Sequence, residues 1–312
     1  MERRNFIKNS MVAAGTTLAT TSIGAPVISS ILPGKKYKNV EKYSFNLHYA
    51  PHFGMFENLA GKDPIDQIKF MADVGFAAME DNGMMERQVD LQEKIANEMV
   101  RQGMKMGVFV VDGGDNWKVS LTTGEPEFKD TFLKTCRKAV EVAKRCNATW
   151  MTVVPGYFDR NKDLNYQTSN VIDALRGGAE IFEPHNLIMV LEPLSDNPDL
   201  FLRYSAQTFM ICKAVNSPSC KILFDIYHMQ RNEGNLIKNM EFSWDEIGYI
   251  QIGDNPGRKE PTTGEINYLN VFKYIHDKGY KGILGMEHGN SKSGKEGEHA
   301  LIDAYKTVDQ FK

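Results

Sequence analysis

The sequence is poor in cysteine, in histidine and in net positive charge. Its 312 residues include four cysteines and seven histidines, and 37 lysines and arginines stand against 40 aspartates and glutamates, for a net charge of −3. The acidic balance provides no basic surface for a phosphate backbone, so we expect no nucleic-acid partner. The cysteines form no CxxC pair and no metal-ligand spacing, so we interpret them as packing residues and not as a disulfide framework. They are Cys136, Cys146, Cys212 and Cys220.

Long, strongly apolar runs are also missing. A membrane-spanning helix needs about 20 consecutive apolar residues, and the weakly apolar run at 11–28 is interrupted by threonines. It follows the basic start MERRNFIKNS, in which Arg3 and Arg4 begin the RRxFxK pattern of a twin-arginine export signal. We therefore predict that residues 1–30 are an export signal and flexible lead. We expect a periplasmic protein without stable membrane insertion.

From residue 40 onward, short apolar runs alternate with longer amphipathic ones. Eight short runs recur about 34 residues apart, which leaves room for one strand, one helix and two loops in each unit. Continuous apolar strands are typical of a parallel sheet that is covered on both faces. The runs are YSFNLHYA from Tyr43, FAAMED from Phe76, MKMGVFVVD from Met104, WMTVVPG from Trp150, LIMVLEPL from Leu187, CKILFDIYH from Cys220, YIQIGD from Tyr249 and GILGMEHG from Gly282.

Eight strand–helix units without an intervening linker predict one α/β domain, a (β/α)8 TIM barrel over residues 40–312. The competing fold is a doubly wound open sheet. That fold normally carries a glycine-rich phosphate turn after an early strand, and this sequence has none.

Oxygen-bearing side chains stand where four consecutive apolar runs end. They are Glu192, Asp225, Gln251 and Glu287. In a barrel these strand ends converge on one face, where three carboxylates without a cation would repel one another. One glutamate at a strand end is commonly a cap or an ion-pair partner, but four oxygen-bearing side chains in register favour a metal site. An all-oxygen set suits Mn²⁺ or Mg²⁺ best, with Zn²⁺ or Co²⁺ as alternatives.

Two longer motifs surround these residues. FDIYHMQ begins at Phe224, and IQIGDNPGRKEPTTGEINY extends from Ile250 to Tyr268. Together they resemble the hydroxypyruvate isomerase family, within the xylose-isomerase-like barrels of sugar isomerases and epimerases. The resemblance covers residues 43 to about 290. The chain differs from the family pattern at Lys259, where histidine is usual, and in GMEHGN at 285–290.

The resemblance implies a metal-dependent isomerase that interconverts a small hydroxy-keto compound, of the hydroxypyruvate or tartronate semialdehyde type, through an enediolate. It implies that Glu192 and Glu287 are the acid/base pair and that His228 and Arg258 contact substrate oxygens. It also makes the loop after Gln251 a substrate lid and anchor. The expected partner is a small hydroxy-keto acid or sugar, and homo-oligomerisation is left open.

Three other functions remain to be weighed. A ketose 3-epimerase or another sugar isomerase would use the same ligands, and a non-catalytic exported sugar-binding barrel would keep the pocket without turnover. An abasic-site endonuclease of the same superfamily would need several more histidines and a DNA-binding face, which the composition disfavours. Among single residues, we predict that Glu265 stabilises the first turn of a helix. Trp117 lines the pocket or packs in the core.

Overall fold

A computed structural model of the chain describes residues 41–311. The predicted export signal at 1–30 lies outside the described residues, so it stays a prediction. The described residues form one compact unit. Among the described residues, no helix has the length and apolar character needed to cross a membrane.

All eight predicted apolar runs contain strand. The third run, at 104–112, contains two short strands because the pairing changes partner around Gly107. The strands are β1 (His48–Ala50), β2 (Ala78–Met79), β3 (Lys105–Met106), β4 (Phe109–Val110), β5 (Trp150–Val153), β6 (Ile188–Leu191), β7 (Cys220–Asp225), β8 (Ile247–Gln251) and β9 (Ile283–Gly285).

Strand pairing is parallel throughout and runs around a ring. Seven strands pair in the order β1-β9-β8-β7-β6-β5-β4, and β2 pairs with β3. The Glu80 amide donates to the Pro51 carbonyl (3.0 Å), which joins β2 to β1. The Val110 amide donates to the Asn82 carbonyl (3.2 Å), which joins β4 to β2. These bonds complete the ring and confirm the predicted TIM barrel.

Helices follow the strands and cover the outside of the ring. Gly75 and Gly103 end the helices at 64–74 and 89–102 in left-handed conformations, at φ 114° and 68°, which are typical of a glycine after a helix. The helices are α1 (Glu57–Ala60), α2 (Pro64–Val74), α3 (Val89–Gln102), α4 (Pro126–Cys146), α5 (Leu164–Phe182), α6 (Ser205–Val215), α7 (Ile226–Asn232), α8 (Leu236–Ser243), α9 (Tyr268–Asp277) and α10 (Gly294–Val308). Short 3₁₀ turns occupy Met84–Glu86, Leu121–Thr123, Glu183–His185 and Trp244–Glu246.

The barrel interior is filled with side chains. One buried residue from nearly every strand contributes to a single apolar cluster, and Trp150 and Ile188 pack against it. The cluster contains Ala50, Ala78, Val108, Val190, Leu223, Tyr249 and Ile283. All four cysteines are buried and unbridged, which confirms that they are packing residues.

Candidate active site

The ends of four adjacent strands carry the predicted ligand residues. Asp225 ends β7, Gln251 ends β8, and the two are registered partners across the sheet. Glu192 directly follows β6, and Glu287 lies two residues beyond β9. The first three are buried, and the Glu287 side chain is 13% exposed. All four therefore lie at the carboxyl end of the barrel, as predicted.

The three carboxylates among these four residues lie close together. One ligand atom from each of Glu192, Asp225, Glu287 and His228 lies within 4.8 Å of the others. Such a group of carboxylates and an imidazole could hold a metal ion. The cluster includes His228, which the sequence analysis treated as a substrate contact.

Gln251 adds an amide to this cluster. Its Nε2 donates to both carboxylate oxygens of Glu80, at 3.3 and 3.4 Å. Its Oε1 is buried and has no hydrogen-bond partner among residues 41–311. A buried acceptor without a partner is costly, and a cation would satisfy it. Three carboxylates and one amide oxygen are donors suited to a hard divalent ion, so the residues fit a metal of this kind.

Asp225 has two different roles because it ends β7 and also caps α7. Its Oδ1 accepts the backbone amides of Tyr227 (2.8 Å) and His228 (3.2 Å), a helix N-cap arrangement. Its Oδ2 lies 3.5 Å from His228 Nε2. The cap fixes the carboxylate and also places His228, three residues later, beside the ligand cluster.

His228 is fully buried, and its hydrogen bonds indicate its tautomer. The Ser195 backbone amide donates to Nδ1 at 3.2 Å, and Ser195 Oγ lies 2.8 Å from the same nitrogen. Because a backbone amide can only donate, Nδ1 is the acceptor and a neutral ring carries its proton on Nε2. Nε2 lies 3.8 Å from Glu192. A proton at this position suits hydrogen bonding to a substrate oxygen better than it suits metal ligation.

The Arg258 guanidinium lies among the predicted ligands. Its Nη2 is 2.7 Å from Glu287 Oε2 and 3.3 Å from Asp225 Oδ2, and its Nε donates to the Glu287 carbonyl. Its guanidinium also stacks 5.0 Å from the centre of the Tyr227 ring. The predicted contact of Arg258 with substrate stays a prediction, while the contact with two ligand carboxylates was not anticipated.

The loop that carries Arg258 is held in place by buried polar groups. Asp254 accepts the backbone amides of Gly264 (2.9 Å) and Ile266 (3.2 Å). Glu260 accepts the Ser291 amide (2.8 Å), which ties the loop to the segment after β9. Arg258 itself has a left-handed backbone, with φ 50°, which a non-glycine residue adopts only when its surroundings impose it. The lid role of this loop stays a prediction.

One single-residue prediction was wrong, and one of the two alternatives for Trp117 is excluded. The helix after the loop begins at Tyr268 with Asn267 as its cap, so Glu265 lies before its first turn. The Glu265 carboxylate instead accepts from Asn255 and from Gln230 Nε2. Trp117 is 40% exposed, which excludes core packing.

Two residues that follow β2, Glu80 and Asn82, have roles that the sequence did not predict. Glu80 is 1% exposed, and its Oε2 lies 3.0 Å from the Tyr249 hydroxyl. Burial, followed by the charge of Glu287, raises the pKa of Glu80 well above its ordinary value. Asn82 Nδ2 donates to Glu287 Oε1 at 3.1 Å. The sequence does carry a signal for these two residues, since FAAMEDN also changes from apolar to polar at a strand end.

Curated relatives carry isomerase names. Hydroxypyruvate isomerase of Escherichia coli (strain K12) is 38% identical over 122 residues, which are 38% of this chain and 47% of that protein, so this match spans about half of the relative. 2-Oxo-tetronate isomerase of Pectobacterium atrosepticum is 28% identical over 230 residues, 72% of this chain and 86% of that protein. The putative hydroxypyruvate isomerase of Homo sapiens is 25% identical over 256 residues, with 79% and 89% coverage.

Solved structures share the fold. An AP endonuclease, family 2, from Brucella melitensis matches with a TM-score of 0.70 and 22% identity, over 82% of this chain and 98% of that one. The 3-keto-D-glucoside 4-epimerase from E. coli matches with a TM-score of 0.70 and 17% identity, over 85% and 100%. The family model described as xylose isomerase-like TIM barrel matches residues 68–308. The chain therefore belongs to the xylose isomerase-like TIM barrel family, as the resemblance in its sequence predicted.

Proposed function

We propose that this protein is a divalent-metal-dependent isomerase that interconverts small hydroxy-keto compounds of the hydroxypyruvate or 2-oxo-tetronate type. The observation that carries the proposal is the convergence of three carboxylates, with the Gln251 amide beside them, at the carboxyl end of the barrel. The names of the curated relatives support the reaction class.

The residues that would hold the ion are Glu192, Asp225, Gln251 and Glu287. Mn²⁺ or Mg²⁺ bound there would supply the positive charge that stabilises an enediolate and would orient the carbonyl and hydroxyl oxygens of the substrate. The amide gives the set one neutral oxygen, which keeps the charge of the ligand set at −3.

Isomerisation moves one proton between two adjacent carbons, so it needs a base on one side of the substrate and an acid to return the proton. Glu192 and Glu287 stand on strands β6 and β9, with β7 and β8 between them, so they can flank a substrate from two sides. Asn82 and Arg258 each donate to one oxygen of Glu287. Two fixed donors hold this carboxylate in one orientation, which proton transfer requires.

His228 would stabilise the oxygen on which negative charge develops. With Nδ1 accepting from Ser195, its Nε2 proton faces the space between Glu192 and Asp225. A buried neutral donor can hydrogen-bond to a developing oxyanion without being able to ionise the substrate first. We therefore assign His228 to orientation and charge stabilisation, and the two glutamates to proton transfer.

The direct test uses Glu192→Gln and Glu287→Gln, with Glu141→Gln on the exposed face of α4 as a matched control. Each site variant should lose at least about 10²-fold in kcat, because it removes a proton-transfer group and weakens a ligand, while the control keeps its activity. Proton exchange at the substrate α-carbon in D₂O, with and without Mn²⁺, measures the same step directly. Activity within tenfold of wild type in both site variants contradicts the assignment, and exchange with no hydroxy-ketone or ketose would favour a sugar-binding barrel.

A neutral ketose is the second candidate substrate, for an epimerase or sugar isomerase. It is favoured by the position of Arg258, whose Nη2 already contacts Asp225 and Glu287. An arginine engaged in this way has less capacity to bind a substrate carboxylate. Activity on hydroxypyruvate and on free ketoses, measured side by side with Mn²⁺, decides between the two classes.

A further inference from the structure

Gln251 is the one uncharged residue in the proposed ligand set, and its amide can be oriented in two ways. Only the orientation with oxygen toward the cluster provides a ligand, since an NH₂ group cannot bind a cation. The two ends of an amide are similar in size, so packing alone discriminates poorly between them. A fixed acceptor on the side of the nitrogen is required to select the useful orientation.

Glu80 is that acceptor. Both of its carboxylate oxygens lie within 3.4 Å of Gln251 Nε2, and the opposite end of the amide, Oε1, is the buried atom without a partner among the described residues. When Glu80 is ionised, a reversed amide would place Oε1 against the Glu80 oxygens, where acceptor faces acceptor. The contacts thus turn the Gln251 oxygen away from Glu80.

Two glycines leave the space that Glu80 occupies: Gly285 in β9 and Gly107 between β3 and β4. A Cβ at Gly285 would lie 1.9 Å from Glu80 Oε2. A Cβ at Gly107 would lie 2.4 Å from the Tyr249 hydroxyl and 2.9 Å from Glu80 Cβ. Glycine inside a strand weakens it and marks close approach by another group. Two such positions around one carboxylate indicate a site built to hold it.

Tyr249 supports the Glu80 carboxylate from the barrel interior. Its ring lies in the apolar cluster of the barrel interior, and its hydroxyl lies 3.0 Å from Glu80 Oε2. The rigid ring therefore fixes the height of the carboxylate above the core. Gln251 is two residues further along the same strand, so β8 supplies both the support and the supported amide.

We propose that Glu80 is a positioning residue which, held by Tyr249, fixes the Gln251 amide with its oxygen toward a bound divalent cation. The inference rests on the proposed function, because it concerns the same metal. It goes further by assigning a role to a carboxylate that is not itself in the ligand set. Groups that orient metal ligands affect metal affinity by about 10- to 100-fold.

The experiment measures Mn²⁺ binding to metal-free protein by electron paramagnetic resonance, together with thermal unfolding in EDTA. Glu80→Leu should weaken Mn²⁺ binding by about 10- to 100-fold. Glu80→Gln should recover most of that affinity, because its carbonyl oxygen still accepts from Gln251. Both variants remove the negative charge of Glu80, so a long-range attraction between Glu80 and the cation would be lost equally in both. Recovery of Mn²⁺ affinity in Glu80→Gln alone therefore indicates that Glu80 acts by positioning the amide.

A double-mutant cycle with Gln251→Leu tests whether Glu80 acts through the amide. In the Gln251→Leu background, Glu80→Leu should cause little further loss of Mn²⁺ affinity. The same loss in both backgrounds overturns the proposal, as does a Glu80→Leu variant that changes only its unfolding temperature. If Glu80→Leu does not fold, Tyr249→Phe is the substitute, because it removes the hydroxyl that holds Glu80. It should cause a smaller loss of Mn²⁺ affinity, and that loss should also vanish in the Gln251→Leu background. Wild-type protein that binds no Mn²⁺ would refute the proposed function itself, a result distinct from all of these.

Discussion

Replacing Arg258 by methionine should destabilise the metal-free protein far more than the metal-loaded protein. Arg258 Nη2 contacts the carboxylates of Glu287 and Asp225, at 2.7 and 3.3 Å. It is therefore positioned to offset the repulsion within the ligand cluster when no cation is bound. Methionine keeps the aliphatic stem and removes only the charged head.

The magnitude follows from the distances. Three carboxylates within 4.8 Å repel by at least about 3.5 kcal/mol for each pair at an effective dielectric constant of about 20, or about 10 kcal/mol together. The two Arg258 contacts supply about 11 kcal/mol of attraction on the same scale. The arginine thus offsets nearly all of the repulsion. Its removal cannot cost the full amount, because one carboxyl can protonate at a cost of about 4 kcal/mol at pH 7.5. The two remaining carboxylates still repel by about 3.5 kcal/mol, so the loss is limited to about 8 kcal/mol.

Chemical and thermal unfolding in EDTA and in saturating Mn²⁺ provide the assay. We expect Arg258→Met to lose up to about 8 kcal/mol of unfolding free energy in EDTA, or up to about 20 °C in Tm, and less than about 2 kcal/mol with Mn²⁺, because the cation then offsets the repulsion. Arg231→Met is the control, since Arg231 stacks on the same Tyr227 ring at 5.4 Å. Equal losses with and without Mn²⁺ would refute the reasoning.

Three further predictions concern other residues. If the substrate is a hydroxy-keto acid, Arg258→Met should cost it at least tenfold more kcat/KM than it costs the best neutral ketose, because a carboxylate contact is charge-assisted; equal losses would favour a sugar substrate. Burial raises the pKa of Cys136 to about 12 and of Cys146 to about 11. Folding thus disfavours both thiolates, so their contribution to the unfolding free energy should be constant below about pH 8.5. Above that pH the unfolding free energy should fall by up to about 1.4 kcal/mol per pH unit for each thiol; no fall between about pH 8.5 and 10.5 contradicts this. We propose that residues 1–30 direct export, so changing Arg3 and Arg4 to lysine should retain the precursor in the cytoplasm, as cell fractionation would detect.

The fold could be predicted from the sequence because every strand is a short apolar run and each carries its own signal. The positions of the proposed ligand residues could be predicted for the same reason, since Asp225 and Gln251 stand where apolar runs become polar. The division of the third run into β3 and β4 could not be predicted, because it depends on which neighbour each half meets. Glu265 was misplaced because the segment before Tyr268 continues the loop to a later cap.

The contacts of Arg258 with the ligand carboxylates lay beyond sequence reasoning for a different reason. They depend on a left-handed backbone at residue 258 and on the local turn in which the Arg258 amide donates to the Asp254 carbonyl. They also depend on the bond from the Gly289 amide to the Arg258 carbonyl, which joins distant parts of the chain. The role of Glu80 was similarly hidden, because the space around it is defined by glycines on other strands. A pattern along the chain identifies chemistry at strand ends but not the side chains that meet across the barrel.

The short pairing of β2 has a kinetic consequence. β2 and β3 share two registered residue pairs, whereas β7 and β8 share four. Local opening requires less free energy where fewer backbone bonds must break, so amide hydrogen exchange should be faster along residues 78–82 than along β7 and β8. Glu80 lies in that segment and contacts Gln251. Fluctuations of this strand would thus release the amide before β7 and β8 separate, and the exit of a bound ion would follow the opening rate of β2.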